Sequence, residues 1–195
     1  MATRLHVWDG SKFVPAKEIL VWNGSSWSPT REGYFWDGSK WVPIIEYRRW
    51  FYESGTEHVP WAVYTQSPGA SLSKNDTHLY LYAYVSAQFP FGGVSTAGYR
   101  TAVAVDLSEL STLYVDWSFS ISYDGNAGLG VVSAATGNTV RSITRSSSFS
   151  RRVDALDVST LRKDVHYYLS VWCSAYSSIS RSASVTLRAY NIYAE

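Results

Sequence analysis

The stretch LYVDWSFSIS, residues 113–122, alternates apolar and polar side chains over its whole length. Successive side chains of a strand point to opposite faces of a sheet, so this pattern predicts a strand with one buried face and one wet face. The predicted inward residues are Leu113, Val115, Trp117, Phe119 and Ile121, and the outward residues are Tyr114, Asp116, Ser118, Ser120 and Ser122.

The same period recurs through the second part of the chain. Further predicted strands lie at residues 78–87, 101–105, 165–175 and 185–189, separated by turns rich in glycine, proline and asparagine. No segment has the period of an amphipathic helix. Short alternating strands without helices favour an all-β fold, and we predict an antiparallel, jelly-roll-like β-sandwich for residues 61–195.

Two related sequence motifs lie between predicted strands, at residues 105–110 and 156–161. Each motif contains Asp followed two residues later by Ser. These side chains can bond to nearby backbone groups, so we predict a tight corner at each motif. The segment 146–152 is rich in serine and ends in two arginines, which indicates a flexible loop with a local positive charge.

The first part of the chain repeats with a period of fourteen residues. The aligned segments are 7–15, 21–29 and 35–43, each with Trp, then Asp-Gly or Asn-Gly, then an aromatic residue and a closing Pro. Asp-Gly and Asn-Gly are typical of two-residue hairpin turns, so each repeat is predicted to be a β-hairpin. We therefore predict three domain segments: a hairpin module at 1–45, a junction at 46–60 and the sandwich at 61–195.

A single hairpin is barely stable in water, so the three hairpins must pack on one another or on a partner. One interpretation is that their aromatic residues form a small core of the array. The other is that some of them dock a neighbouring subunit or hold a ligand such as a sugar. These assembly or anchoring candidates are Trp8, Phe13, Trp22, Trp27, Trp36 and Trp41.

Composition excludes several classes of function. Charged residues make up 17% of the chain and the net charge is +1, so no overall field would attract nucleic acid. No apolar run has signal-peptide length or the roughly 20 residues that cross a bilayer, so membrane insertion and ordinary secretion are not expected. The single cysteine, Cys173, excludes an intrachain disulfide and is most simply a core residue.

Aromatic residues make up 16% of the chain, and some of them are predicted to face outward from the sandwich. Tyrosines two positions apart on one strand form a flat surface on which sugar rings can stack. The alternative is that another sheet, the hairpin module or a second subunit covers them. The candidate glycan-binding residues are Tyr80, Tyr82, Tyr84, Trp172 and Tyr176.

We predict no metal, no cofactor and no catalytic site. The four histidines, His6, His58, His78 and His166, are far apart and stand in no ligand-spaced motif. Hydrolysis of glycans would need paired carboxylates or a nucleophile with its base, and no residues stand in such a setting.

The repeat resembles the N-terminal repeats of minor tail proteins from tailed bacteriophages of actinobacterial hosts, and the second half is similar to jelly-roll modules of phage structural proteins. The resemblance implies a non-enzymatic virion protein, present in several copies, that is made in the host cytoplasm. We therefore expect a minor tail or fibre-like subunit that has other virion proteins and copies of itself as partners. Its sandwich is expected to face outward, where it contacts host-surface polysaccharide or protects the particle. The alternatives are a cell-wall-binding module that uses the Trp repeats, a capsid decoration protein and a glycan-degrading enzyme.

Overall fold

The structure is a computed structural model that describes residues 6–8, 11–15, 20–22, 24–29, 34–36, 38–39, 41–43, 48–87 and 91–195. Contacts divide the chain into two units, Met1–Arg48 and Arg49–Glu195. The described residues form strands, turns and bends without a helix. The predicted all-β class, with hairpin repeats followed by an antiparallel β-sandwich, is confirmed.

Each repeat of the first unit forms one antiparallel hairpin. The strands pair in the order β1 with β2, β3 with β4 and β5 with β6, and among the described residues no hairpin pairs with another. Their bounds are β1 (His6–Trp8), β2 (Phe13–Pro15), β3 (Leu20–Trp22), β4 (Trp27–Pro29), β5 (Tyr34–Trp36) and β6 (Trp41–Pro43).

The hairpin loops differ from the predicted two-residue turn. Four residues separate the strands, because Trp8 pairs with Phe13, and Trp22 with Trp27. A two-residue turn would have placed Trp8 opposite Ser11. The observed register instead places two aromatic residues opposite each other, and such a cross-strand pair contributes roughly 0.2–1 kcal/mol.

The described loop glycines, Gly24 and Gly38, have φ angles of 99° and 100°. This is the conformation that only glycine adopts without strain. The loops of the second and third repeats therefore place glycine where its conformational freedom is required.

Twelve strands lie in residues 49–87 and 91–195. In chain order they are β7 (Arg49–Glu53), β8 (Thr56–Glu57), β9 (Trp61–Gln66), β10 (Ala70–Lys74), β11 (Leu79–Val85), β12 (Gly93–Thr101), β13 (Thr112–Ile121), β14 (Gly125–Ser133), β15 (Thr139–Arg145), β16 (Phe149–Asp157), β17 (Tyr167–Ser177) and β18 (Ala183–Ala194).

These strands form two antiparallel sheets. The seven-stranded sheet has the order β10-β11-β18-β13-β16, with β7 also paired to β18 and β8 to β7. The five-stranded sheet has the order β15-β14-β17-β12-β9. Because the chain passes repeatedly from one sheet to the other, segments distant in sequence become neighbours in each sheet.

The core lies between the two sheets and follows the predicted alternation. Leu113, Val115, Trp117 and Phe119 of β13 are fully buried, and they belong to the same hydrophobic core as the inward side chains of β17. Cys173 is one of these inward residues, as predicted, and burial raises the pKa of its thiol to about 12.

The two predicted corners are confirmed. The carboxylate of Asp106 accepts a hydrogen bond from the Ser108 backbone at 2.8 Å. Asp157 accepts from the backbone and the hydroxyl of Ser159 at 2.9 and 2.6 Å. Because these bonds favour the charged form, the pKa of each carboxyl is lowered.

The segment 46–60 is not only a junction. It supplies β7, which pairs with β18, and the buried side chains of Phe51 and Tyr52. The sandwich unit therefore begins at Arg49, before the expected boundary at residue 61. The remaining part of the expected junction, residues 46 and 47, lies outside the described residues.

Two other segments differ from their predictions. The strand expected at 101–105 ends at Thr101, and Val105 makes only an isolated bridge to Tyr167. The serine-rich segment 146–152 is a loop only as far as Ser148, because Phe149 begins β16. The first error arose because residues 101–105 alternate without forming a strand, and the second because β16 is poor in alternating apolar residues.

Candidate functional site

The predicted tyrosine ladder lies on the outer face of the seven-stranded sheet. On β11, Tyr80, Tyr82 and Tyr84 alternate with buried residues of the core, and Tyr84 is 42% exposed. Successive tyrosines of one strand stand roughly 7 Å apart. The alternative that the second sheet covers this ladder is wrong, because that sheet packs on the opposite side.

Hydroxyl and guanidinium groups flank the ladder. On β18, Thr186 lies opposite Tyr82, and Arg188 lies opposite Tyr80 with its guanidinium 5.5 Å from the centre of the Tyr80 ring. Among the described residues, no carboxylate lies within ion-pair distance of Arg188. We call the surface formed by Tyr80, Tyr82, Tyr84, Thr186 and Arg188 the seven-strand face.

A polar network borders the seven-strand face. Two nitrogens of Arg151 donate hydrogen bonds to the Asp116 carboxylate, with a shortest N···O distance of 2.6 Å. The side-chain amide of Asn191 donates to the same carboxylate at 2.8 Å. The Arg151 guanidinium also lies 4.2 Å from the centre of the Tyr190 ring. These contacts hold Tyr190 in one position beside the ladder.

His78 lies between the ladder and this network. Its ring is 5.3 Å from that of Tyr190 and 6.4 Å from that of Tyr80. Burial, and then the charge of Arg188, lower the pKa of His78 below its ordinary value of 6.5. This shift favours the neutral imidazole beside the Arg188 guanidinium.

The other predicted glycan-binding residues lie on the outer face of the five-stranded sheet. Trp172 and Tyr176 of β17 point away from the core, on the side opposite Cys173, as expected. Tyr168 points the same way, four positions before Trp172. The fold therefore separates the predicted residues into two sites on opposite faces of the sandwich.

Glycines form the floor beneath two rings of this second face. A Cβ atom on Gly98 would lie 2.5 Å from Cε1 of Tyr64, and one on Gly128 would lie 2.6 Å from Cζ2 of Trp172. Both rings therefore rest directly on the backbone of the sheet. Since Gly98 and Gly128 pair with Trp172 from the strands on its two sides, no side chain stands beside the indole on β12 or β14.

Arg100 of β12 lies between two tyrosines of the same surface. Its guanidinium is 4.5 Å from the centre of the Tyr168 ring and 5.8 Å from that of Tyr64. Burial raises the pKa of the Tyr64 hydroxyl, and the charge of Arg100 offsets part of this rise. We call the surface formed by Tyr64, Arg100, Tyr168, Trp172 and Tyr176 the five-strand face.

A shallow cleft of about 350 Å³ lies where the serine-rich segment was expected to carry positive charge. Arg145 and Arg152 line this cleft, and both donate to Asp154, at 2.7 and 2.5 Å. Asp154 also accepts from Nε1 of the buried Trp117 at 2.9 Å. The arginines of the cleft thus serve to satisfy a buried carboxylate.

The structure describes only part of the predicted assembly residues. Trp36 is 53% exposed, whereas the side-chain packing of the others lies outside the described part of the chain. The backbone register does pair Trp36 with Trp41, as it pairs the aromatic residues of the other two repeats. An anchoring role for Trp8, Phe13, Trp22, Trp27, Trp36 and Trp41 stays a prediction.

Two further results concern the described residues alone. No group of three or more His, Cys, Asp or Glu side chains is placed to hold a metal ion there. No helix long and apolar enough to cross a membrane occurs in the described ranges.

No family model matches the chain. No curated protein matches it either. Among solved structures, it is similar to a variant of the family 29 carbohydrate-binding module CBM29-2, with 10% identity and a TM-score of 0.47 over 77% of this chain and 92% of the other. A CBM4 structure shows 17% identity and a TM-score of 0.42 over 69% of this chain and 94% of the other. Likeness of this size assigns no ligand to the chain.

Sequence reasoning missed Tyr64, Arg100, Tyr168 and Arg188. Tyr168 could have been predicted from the sequence, since it lies an even number of residues from Trp172 and Tyr176 and so shares their face of the strand. The position of Tyr64 depends on a register shift between β9 and β12, which no pattern within either strand reveals.

Proposed function

We propose that this protein is a non-enzymatic carbohydrate-binding protein and that its sandwich binds glycan on the seven-strand face. The observation that carries the proposal is a tyrosine ladder, exposed at Tyr84 and partly exposed at Tyr80 and Tyr82, beside an arginine for which the described residues provide no carboxylate partner. Aromatic rings stack on the apolar face of a sugar, and the donors of Arg188 and the hydroxyl of Thr186 suit its hydroxyl groups.

The rings at one end of the ladder are accessible for stacking. Tyr82 and Tyr84 make no ring or cation contact with the described residues. Tyr80, by contrast, is held by His78 and Arg188. A sugar chain would therefore stack along Tyr84 and Tyr82 and meet the guanidinium group next to Tyr80.

The two buried carboxylates of the sandwich are not arranged for hydrolysis of a glycan. Asp116 and Asp154, which are buried, are each bound by arginine, and they lie on opposite sides of the seven-stranded sheet. A glycosidase requires two carboxyl groups that flank one bond. We propose no reaction for this protein.

Affinity electrophoresis in gels that contain neutral polysaccharides tests the proposal, using hydroxyethylcellulose, β-glucan, galactomannan and arabinogalactan. We expect at least one of them to retard the protein, and Tyr84→Ala to weaken that binding about fivefold, because one stacking contact contributes about 1 kcal/mol. Tyr123→Ala is the matched control, since Tyr123 is also 42% exposed but lies in the loop after β13. Equal losses in both variants, or no retardation by any polysaccharide, would overturn the proposal.

We also propose that the protein is part of a phage particle, where the hairpin unit anchors it and the sandwich contacts host-surface polysaccharide. The support is the strict repeat of three hairpins, each of which is too small to be stable alone. Mass spectrometry of purified particles tests this placement. If the protein is absent from particles but binds purified cell wall through residues 1–48, the alternative of a cell-wall-binding module replaces it.

A further inference from the structure

The strands that build the five-strand face have an unusual charge distribution. Together, β9, β12, β14 and β17 contain one charged residue, Arg100, and no Asp or Glu. Arg100 is also absent from the ion pairs of the described residues. These four strands therefore contribute a single positive charge and no carboxylate to the face.

Two tyrosine rings surround the guanidinium group of Arg100. Its Cζ lies over the rings of Tyr168 and Tyr64, 4.5 and 5.8 Å from their centres, and these two neighbours restrict the positions that the guanidinium group can take. Arginine stays protonated at every physiological pH. A planar donor group held in this way matches a carboxylate, which it can bind through two parallel hydrogen bonds.

The rest of the face suits the remainder of a sugar ring. The Trp172 ring lies against the backbone of Gly128 and is partly exposed, so its outer side is available for stacking. The Tyr64 ring lies against Gly98 and beside Arg100. The hydroxyl of Tyr176 donates to the Asn126 side chain at 3.3 Å, which holds a third ring at the same surface.

We infer that the five-strand face is a second binding site, which recognises an acidic glycan. Arg100 pairs with the carboxylate of a uronic acid, and the neighbouring rings stack on the sugars next to it. This site lies on the opposite side of the sandwich from the ladder of Tyr80, Tyr82 and Tyr84, and it binds a different class of ligand.

Titration calorimetry of the full chain with carboxylated polysaccharides tests the inference, with polygalacturonate, alginate and hyaluronate as the acidic probes. Neutral galactan serves as the uncharged comparison. We expect at least one acidic probe to bind more tightly than galactan. Because charges on a surface are screened by salt, we expect this binding to weaken as sodium chloride rises from about 0.05 M to about 0.5 M.

Substitutions on each face show which of the two faces binds the acidic probe. We expect Arg100→Gln to weaken binding of the acidic probe by about tenfold or more, since a hydrogen bond to a charged group is lost. Arg100→Lys keeps the charge without the planar donors, so its loss should be smaller than that of Arg100→Gln. Arg188→Gln is the matched control on the seven-strand face, and it should leave binding of the acidic probe unchanged.

The outcomes distinguish this inference from the proposed function. It is overturned if no acidic probe binds the protein, if Arg100→Gln leaves acidic binding unchanged, or if Arg188→Gln weakens acidic binding as much as Arg100→Gln does. Loss of acidic binding in Trp172→Ala but not in Tyr84→Ala supports it. A protein that binds acidic probes through Arg100 but no neutral polysaccharide would support the inference and overturn the proposed function. Unchanged urea midpoints show that each variant is folded.

Discussion

Asp154 is buried, and its carboxylate joins the indole of Trp117 to the guanidinium groups of Arg145 and Arg152. Replacing Asp154 with Asn removes the charge and leaves two arginines without their partner. We expect Asp154→Asn to lower the free energy of unfolding by about 2–3 kcal/mol, less than for a fully buried pair because both arginines are partly exposed. Urea unfolding followed by tryptophan fluorescence measures this loss.

The ion pair between Arg162 and Asp164 is the matched control for that substitution. Both side chains are mostly exposed, at 75% and 67%, although their N···O distance of 2.6 Å is as short as those at Asp154. Solvent screens such a pair, so Asp164→Asn should leave the urea midpoint unchanged. If the two substitutions had equal effects, burial would not be the reason for the stability that Asp154 provides.

The same carboxylate should make stability depend on pH. Burial by itself would raise the pKa of Asp154, but hydrogen bonds from Arg145, Trp117 and Arg152 lower it overall. A lowered pKa in the folded state means that the stabilisation is complete above the unfolded-state pKa of about 4 and is lost as the pH falls through the folded-state pKa.

We therefore expect the difference in unfolding free energy between the unmodified protein and Asp154→Asn to be largest near neutral pH. It should shrink as the pH falls below about 4. Urea titrations at a series of pH values measure this difference. A difference that stayed constant down to about pH 2 would show that the ionised carboxylate is not what stabilises the fold.

At the scale of one strand, β14 shows how glycine shapes a face. A Cβ atom on Gly128 would meet the Trp172 ring at 2.6 Å and the backbone oxygen of Ile143 at 2.8 Å. We expect Gly128→Ala to displace the indole, to shift its fluorescence spectrum and to lower the unfolding free energy by about 1–3 kcal/mol.

Gly130 of the same strand provides the control for Gly128. A Cβ atom there would meet the Ser170 hydroxyl at 2.9 Å, which is the end of a small side chain that can rotate away. We expect Gly130→Ala to have a smaller effect on stability and no effect on the Trp172 spectrum. If both substitutions left the spectrum unchanged, the indole would not rest on the glycine floor.

The repeats show that an element can be predicted more reliably than its register. Asp-Gly and Asn-Gly correctly indicated a hairpin, because the glycine adopts a positive φ angle in the described loops. The loop length was wrong, since pairing of Trp22 with Trp27 decided the register. Local turn preference and cross-strand contact are of similar energy, and the second prevailed here.

At the scale of the whole molecule, the sandwich carries its own core. Among the described residues, all members of that core come from Phe51 onward. We expect residues 49–195 to fold alone, with an unfolding temperature within about 3 °C of that of the full chain. A domain of this size changes its unfolding temperature by about 3 °C for each 1 kcal/mol of stability, and we expect the loss to be smaller than about 1 kcal/mol. Calorimetry of both proteins measures the difference.

The fragment should also keep both ligand specificities, for neutral and for acidic polysaccharide. If binding to both were lost while the unfolding temperature stayed the same, residues 1–48 would hold the ligand, as the alternative of a cell-wall-binding Trp repeat requires. If the fragment failed to fold, the separation of the chain into two units would be wrong.

The sequence alone was sufficient to identify the buried and the outward side of each strand whose two faces differ in polarity. Alternation in β13 correctly identified the buried side of Trp117, and alternation in β11 and β17 correctly identified the outward side of Tyr82 and Trp172. Local patterns of this kind suffice because side chains in a strand repeat every two residues whatever the strand pairs with. The Asp-Gly and Asn-Gly pairs, which are also local signals, indicated the hairpins of the repeat.

Only the tertiary structure decided which outward residues share a face. Arg100 meets Tyr168 because β12 pairs with β17, and Tyr64 joins them through the register shift between β9 and β12. Tyr82 and Trp172 lie on opposite sides of the molecule for the same reason, since their strands belong to different sheets. Strand order and register depend on packing between distant segments, and no period within a single strand contains that information.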